Sequence, residues 1–177
     1  MKYVALLRGV NVGGKGIIKM SELKDAFSEA GFQNVSTYIN SGNILFESDE
    51  KSIEKLTQQI DDLLEKQFFI IKSVILSQKE IEQVLEEMPA PWKKDDLRKY
   101  IAFVRDGAQP EDVIKEAQLR DGVDAIDKGY RCVYMSTFTR GLTQSGFPKL
   151  STKKIYKEIT IRNYTTVKKL ADLMNLQ

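Results

Sequence analysis

Histidine is absent from the 177 residues, and cysteine and tryptophan occur once each. Without imidazole the chain has no histidine general base, no histidine-based triad and no ordinary histidine metal site. A single cysteine excludes an intramolecular disulfide and any cysteine-based zinc or iron–sulfur set. Cys132 stands in the apolar run RCVYM; it is expected as a buried strand thiol, in a chain suited to a reducing compartment. No apolar run approaches the roughly 18 residues of a membrane-crossing helix. The run in KYVALLRG is too short for a signal peptide and reads as a strand, so a cytoplasmic protein without membrane attachment is expected. No metal site is expected, and the cofactor is left open.

With 29% charged and 42% hydrophobic residues the composition is that of an ordinary globular chain. The net charge of +2 is unevenly spread. Residues 141–177 carry seven Lys or Arg and two acidic residues, net +5, whereas residues 1–140 carry twenty and twenty-three, net −3. Such a basic segment can face phosphate, an acidic partner or solvent.

Apolar periodicity divides the chain into alternating strands and helices. KYVALLRG reads as a strand, followed by a glycine-rich connection and a helix from Ser21 to about Ala30 with Leu23, Ala26 and Phe27 on its inner face. VSTYI and ILFES flank Asn40-Ser41-Gly42-Asn43, a polar turn that makes a hairpin. A helix over about Ser52–Lys66 and the strand FIIKSVIL complete the order strand, helix, strand, strand, helix, strand. That is the split βαβ, ferredoxin-like order, with the helices on one sheet face.

Ser77-Gln78-Lys79-Glu80 has capping-box spacing and opens a helix that ends before MPAPWKKDD. Beyond it KYIAFVR repeats the residue types of KYVALLR, the mark of a second copy of the unit. The second copy continues with a helix near Glu111–Leu119, a hairpin around Lys128-Gly129, a helix near Ser151–Ile159 and a last helix over Asn163–Met174. The expected fold class is therefore α+β, two ferredoxin-like (split βαβ) lobes in tandem, antiparallel sheets with helices on one face, plus C-terminal helices. The expected division is 1–88 and 98–177, joined by a linker at 89–97.

The segment GVNVGGKG, residues 9–16, satisfies G-x-x-x-x-G-K up to Lys15. A nucleotide-hydrolase phosphate loop needs a Ser or Thr after the lysine to hold magnesium, and a helix starting at once. Position 16 is glycine, and the next helical pattern begins several residues later. A hydrolase of that class is also disfavoured by the hairpins, since it is built on a mainly parallel sheet. What remains is a glycine-rich loop able to expose N–H donors to an anion, with Arg8 and Lys15 supplying charge. In the split βαβ order the first and third strands are antiparallel neighbours, so the end of the first and the start of the third share one sheet edge. Arg8, Asn11, Gly13, Gly14, Lys15, Asn40, Ser41 and Asn43 then fall in one neighbourhood. Arg162, Asn163 and Lys169, around the start of the last helix, form a second candidate anion contact. Acidic pairs such as Asp61-Asp62 and Asp124 with Asp127 are present but are not spaced as a metal site.

The motifs ALLRGVNVGGKG, TYINSGNILF and RNYTTVKKL together resemble the bacterial family catalogued as domain of unknown function 1697. The resemblance covers nearly the whole chain. It implies a two-part ferredoxin-like fold and a soluble cytoplasmic protein, and carries no established activity, cofactor or substrate. By position its motif residues are Arg8, Gly9, Asn11, Gly13, Gly14 and Lys15, then Ser41, Gly42 and Asn43, then Arg162, Asn163, Thr166, Val167 and Lys169. Ile159-Thr160-Ile161 departs from the Gly-Thr-Ala-like stretch expected before the arginine.

The leading functional expectation is binding of a phosphorylated small molecule, a nucleotide or a nucleic-acid backbone. One alternative is an enzyme acting on a phosphorylated substrate, with or without a carboxylate-held metal. The other is a protein-interaction module without catalytic activity. Oligomeric state is left open.

Overall fold

The structure is a computed structural model that describes residues 1–11, 17–93 and 95–176. Two compact units emerge, one of residues 1–81 with 169–177 and the other of residues 82–168. The segment expected as a linker, 89–97, falls inside the second unit.

In the first unit β1 (Lys2–Leu7), α1 (Met20–Glu29), β2 (Gln33–Tyr38), β3 (Asn43–Glu47), α2 (Ile53–Gln67) and β4 (Ser73–Ser77) follow the split βαβ order. The sheet runs β2-β3-β1-β4, with β1 antiparallel to both neighbours. Strand alternation sends Tyr3, Ala5, Leu7, Ile44, Phe46 and Ile75 to one face, where they meet Leu23 and Phe27 of α1 and Leu56, Ile60 and Leu64 of α2. The rings of Tyr3, Phe27, Phe32 and Phe46 form a connected aromatic cluster with centroids 4.8–5.7 Å apart. Val4, Leu6, Leu45, Val74 and Leu76 point to the other face and are buried as well.

The helices start where capping chemistry permits. The Ser52 hydroxyl accepts from the Lys55 N–H at the start of α2. Ser77 and Glu80 form the reciprocal pair foreseen from their spacing: the Ser77 N–H and hydroxyl donate to Glu80, and the Glu80 N–H donates to the Ser77 oxygen. That pair opens α3 (Gln78–Glu86). Helix α1 begins one residue before the expected Ser21 and has no side-chain cap.

The second unit repeats the plan with β5 (Leu97–Val104), α4 (Pro110–Glu116), β6 (Asp124–Gly129), β7 (Cys132–Phe138) and β8 (Ile159–Asn163). Its sheet order, β6-β7-β5-β8, is that of the first sheet. Strand β5, which carries the repeated KYIAFVR, occupies the place of β1. The helix expected at 151–159 does not form. Two 3₁₀ segments, Phe147–Thr152 and Lys154–Glu158, stand in its place, preceded by a third over Thr139–Gln144. Lys153, in extended backbone at φ −89° and ψ 151°, separates Phe147–Thr152 from Lys154–Glu158, and the β-branched Ile159-Thr160-Ile161 favours extended backbone and pairs with β5. Strand β8 was therefore absent from the sequence expectation. The last helix, α5, spans Tyr164–Leu176. Lys2 donates to the Met174 carbonyl at 3.0 Å and Gln78 to Asn175 at 2.6 Å, fastening the end of α5 to the first unit.

Cys132 is buried, and Tyr134 beside it donates its hydroxyl proton to the Val84 carbonyl at 2.7 Å. Burial pushes the thiol up to about 12, against a hydrogen bond with Tyr134 and assisted by the Glu87 carboxylate. Such a thiol has almost no thiolate at neutral pH. A chromogenic disulfide reagent at pH 8 is expected to label Cys132 at least about a hundredfold more slowly in the native protein than in urea. Equal rates in the two states would mean that the thiol is accessible.

Candidate site at the edge of the first sheet

The sheet edge at the end of β1 is built by backbone pairing. The Leu7 N–H donates to the Gly42 carbonyl at 2.8 Å and the Arg8 N–H to the Lys72 carbonyl at 2.9 Å. The chain leaving β1 is therefore flanked by the β2–β3 turn on one side and by the residues leading into β4 on the other. That turn needs left-handed backbone, with Ile39 at φ 49° and Gly42 at φ 71°. At Gly42 a Cβ would stand 2.8 Å from Leu7 Cβ and 3.2 Å from Val10 Cβ, so the position requires glycine for both conformation and space.

Asn11, itself at φ 57°, ties this edge together. Its side-chain amide donates to the carbonyls of Ile18 and Asn40, each at 3.0 Å, and its oxygen accepts from the Ile18 N–H at 2.8 Å. Asn11 and Ile18 flank residues 12–17, so one side chain holds both ends of the glycine segment together and joins them to the hairpin turn. Gly13, Gly14 and Lys15 lie outside the described residues.

Asn43 is 0% exposed. Both hydrogens of its amide are committed, one to the Tyr38 carbonyl and one to the Ser41 hydroxyl, each at 3.0 Å. Its influence on anything at the rim is exerted through the turn it rigidifies. Arg8 and Ser41 are partly exposed and Asn40 and Gly9 exposed, so these groups face solvent at the edge. Lys72, which sequence reasoning missed, is partly exposed and pairs through its backbone with Arg8. Asp61 positions that strand start, accepting from the Ser73 N–H at 3.1 Å and its hydroxyl at 2.7 Å. The lysine would have been visible once the order β3-β1-β4 was known, because that order puts the residue before β4 beside the residue after β1.

Arg162 and Asn163 end β8 in the second unit, whereas Lys169 belongs to the first. Arg162 is 8% exposed; its guanidinium donates to the Thr160 hydroxyl at 2.9 Å and to the Ile161 carbonyl at 3.0 Å. Burial lowers it to about 10, which still leaves it charged at neutral pH. Asn163 and Lys169 are exposed.

Chemically, the first-sheet edge offers cationic and amide groups. Among the described residues no group of three or more Cys, Asp or Glu side chains is placed to hold a metal ion. No helix among the described residues is long and apolar enough to cross a membrane.

Comparison with known proteins agrees with this architecture. Residues 1–134 match the family model described as protein of unknown function (DUF1697). Among solved structures, the conserved bacterial protein SP0830 from Streptococcus pneumoniae is similar at 31% identity and a TM-score of 0.86, over 98% of each chain. No curated protein matches. The motif RNYTTVKKL lies beyond residue 134 but within a chain that the structural similarity covers almost completely. With three quarters of its length under that family model and its fold shared end to end with SP0830, the chain belongs to the DUF1697 family.

Proposed function

We propose that the edge of the first sheet binds a phosphate-bearing ligand: a phosphorylated small molecule, a nucleotide or a nucleic-acid backbone. The observation that supports this reading is the Asn11 clamp, whose bonds join Asn11 to Ile18 and to the Asn40 carbonyl of the hairpin turn. A glycine-rich segment has backbone N–H groups unobstructed by side chains, and fixed ends lower the entropy lost when it closes on an anion. Arg8 and Lys15 supply charge, and Ser41 and Asn40 are near enough to the same turn to orient an oxyanion. Asn11 and Asn43 position these groups. The antiparallel sheet and the start of α1 at Met20 separate the site from a nucleotide-hydrolase phosphate loop, in which the lysine leads directly into the helix.

The test is calorimetric titration with pyrophosphate, ATP and a short single-stranded RNA, in low and moderate salt. Lys15→Ala and Arg8→Ala are each expected to weaken the best of these ligands about tenfold, the usual scale for losing one charge-assisted contact. Asn11→Ala is expected to weaken it as well, by freeing the loop ends. The three ligands separate the sources: RNA preference with a steep salt dependence identifies a nucleic-acid backbone, and ATP preference a nucleotide. Absence of binding to all three, or an unchanged affinity in Lys15→Ala, overturns the proposal.

A further inference from the structure

The second unit contains a cavity of about 270 Å³ between its sheet and the 3₁₀ segments before β8. Tyr100, Met135 and Ile161 form the sheet side, and Leu142, Phe147 and Tyr156 line it from the 3₁₀ segments. Rings and a thioether make walls suited to a flat, polarizable guest. A dry apolar cavity of ~150 Å³ admits benzene; this larger one has room for a fused bicyclic ring but not for a drug-sized molecule.

The polar part of the cavity has a definite polarity. Thr137, Ser145 and Ser151 contribute hydroxyls to its lining. Thr137 and Ser145 both donate to Asp124 Oδ1, at 2.8 and 2.7 Å. Ser151 donates to the Pro148 carbonyl at 2.7 Å. A hydroxyl has one proton, so the hydrogen-bonding capacity these three oxygens have left is that of acceptors. The Asp124 carboxylate is fixed in this role by two further donors on Oδ2, the N–H groups of Gly146 at 2.8 Å and Arg120 at 2.9 Å. Ser145 Oγ also accepts from the Phe147 N–H at 3.3 Å and lies 3.4 Å from Thr137 Oγ1, which leaves Ser151 as the most available acceptor.

We infer that this cavity is a second ligand site, separate from the first-sheet edge, and that it takes a small bicyclic aromatic molecule bearing an N–H or O–H donor. Donor-bearing guests satisfy the hydroxyl oxygens. A guest of the same shape with only an acceptor finds no donor in these three hydroxyls, whose protons are already given to Asp124 and Pro148.

Indole and benzofuran test this directly, because they share one shape and differ in donating N–H against accepting oxygen. Each is titrated into the full chain while the methyl signals of Met135 and Leu142 are followed by NMR. Indole is expected to give saturable shifts, with benzofuran at least tenfold weaker. Leu142→Trp, which fills the cavity, is expected to abolish both. Thr137→Val keeps the shape and removes an acceptor, and Ser151→Ala does the same at the solvent-exposed side; at least one is expected to erase most of the indole preference in a protein whose amide spectrum remains native-like. Absence of saturable shifts, equal affinity for the two probes, or full preference retained in both variants overturns the inference.

Discussion

Gly42→Ala is expected to destabilise the protein by about 3 kcal/mol, measured by urea unfolding. Two costs combine. A non-glycine residue in left-handed backbone loses roughly 1 kcal/mol, and Gly42 sits at φ 71°. The added methyl would also lie 2.8 Å from Leu7 Cβ, inside contact distance and against a side chain that is itself fully buried. Overpacking of this kind costs about 1–3 kcal/mol. The carbonyl of Gly42 accepts from the Leu7 N–H, so any shift that relieves the clash strains the central strand pair too. A substitution at Gly31, where a Cβ meets nothing within 4 Å, serves as the control and is expected to show the conformational cost alone. Equal losses at the two positions would mean that close packing at the turn contributes nothing.

Asp124→Ala has a comparable effect by another route. It leaves two hydroxyls and two N–H groups without their common acceptor. Hydrogen bonds to a carboxylate are worth about 1.5–3 kcal/mol each, and because the site is only partly buried, water recovers much of this; a net loss of about 2–4 kcal/mol is expected. Burial alone would raise the Asp124 pKa, but the Gly146 and Arg120 N–H groups and the Ser145 and Thr137 hydroxyls outweigh it and hold the carboxyl below its ordinary value. The unfolded chain therefore binds this proton more tightly than the native one. Its contribution is complete above the ordinary carboxylate range and disappears as pH falls through the depressed native value. The stability gap between wild type and Asp124→Ala is expected to stay constant from neutral pH to about pH 4 and to shrink below it. A gap that widened in acid would show the opposite shift.

The two cases mark where the sequence was informative. Gly42 lies in a turn recognisable from Asn-Ser-Gly-Asn between two apolar runs, because hairpins depend on local turn chemistry. The same locality made α2, α3 and the echo between KYVALLR and KYIAFVR legible. Strand β8 was hidden because its buried positions include Thr160 and Arg162, which mask the alternation that identifies a strand. Asp124 was visible only as one member of an acidic pair with Asp127. Its role depends on Ser145 and Gly146, twenty or more residues away, and on a 3₁₀ connection that no periodicity announces. At the sheet edge, composition pointed to Asn11 and Asn43, yet the direction of an amide is decided by packing. One closes a loop and the other is buried within a turn.

The division of the chain has a consequence for how the protein is made. Residues 82–168 form one uninterrupted unit, whereas the other is assembled from residues 1–81 and 169–177. On the ribosome the downstream unit has its entire sequence available before the upstream one does. Until α5 emerges, the Lys2 ammonium and the Gln78 amide of the first-made unit lack the partners they find on it.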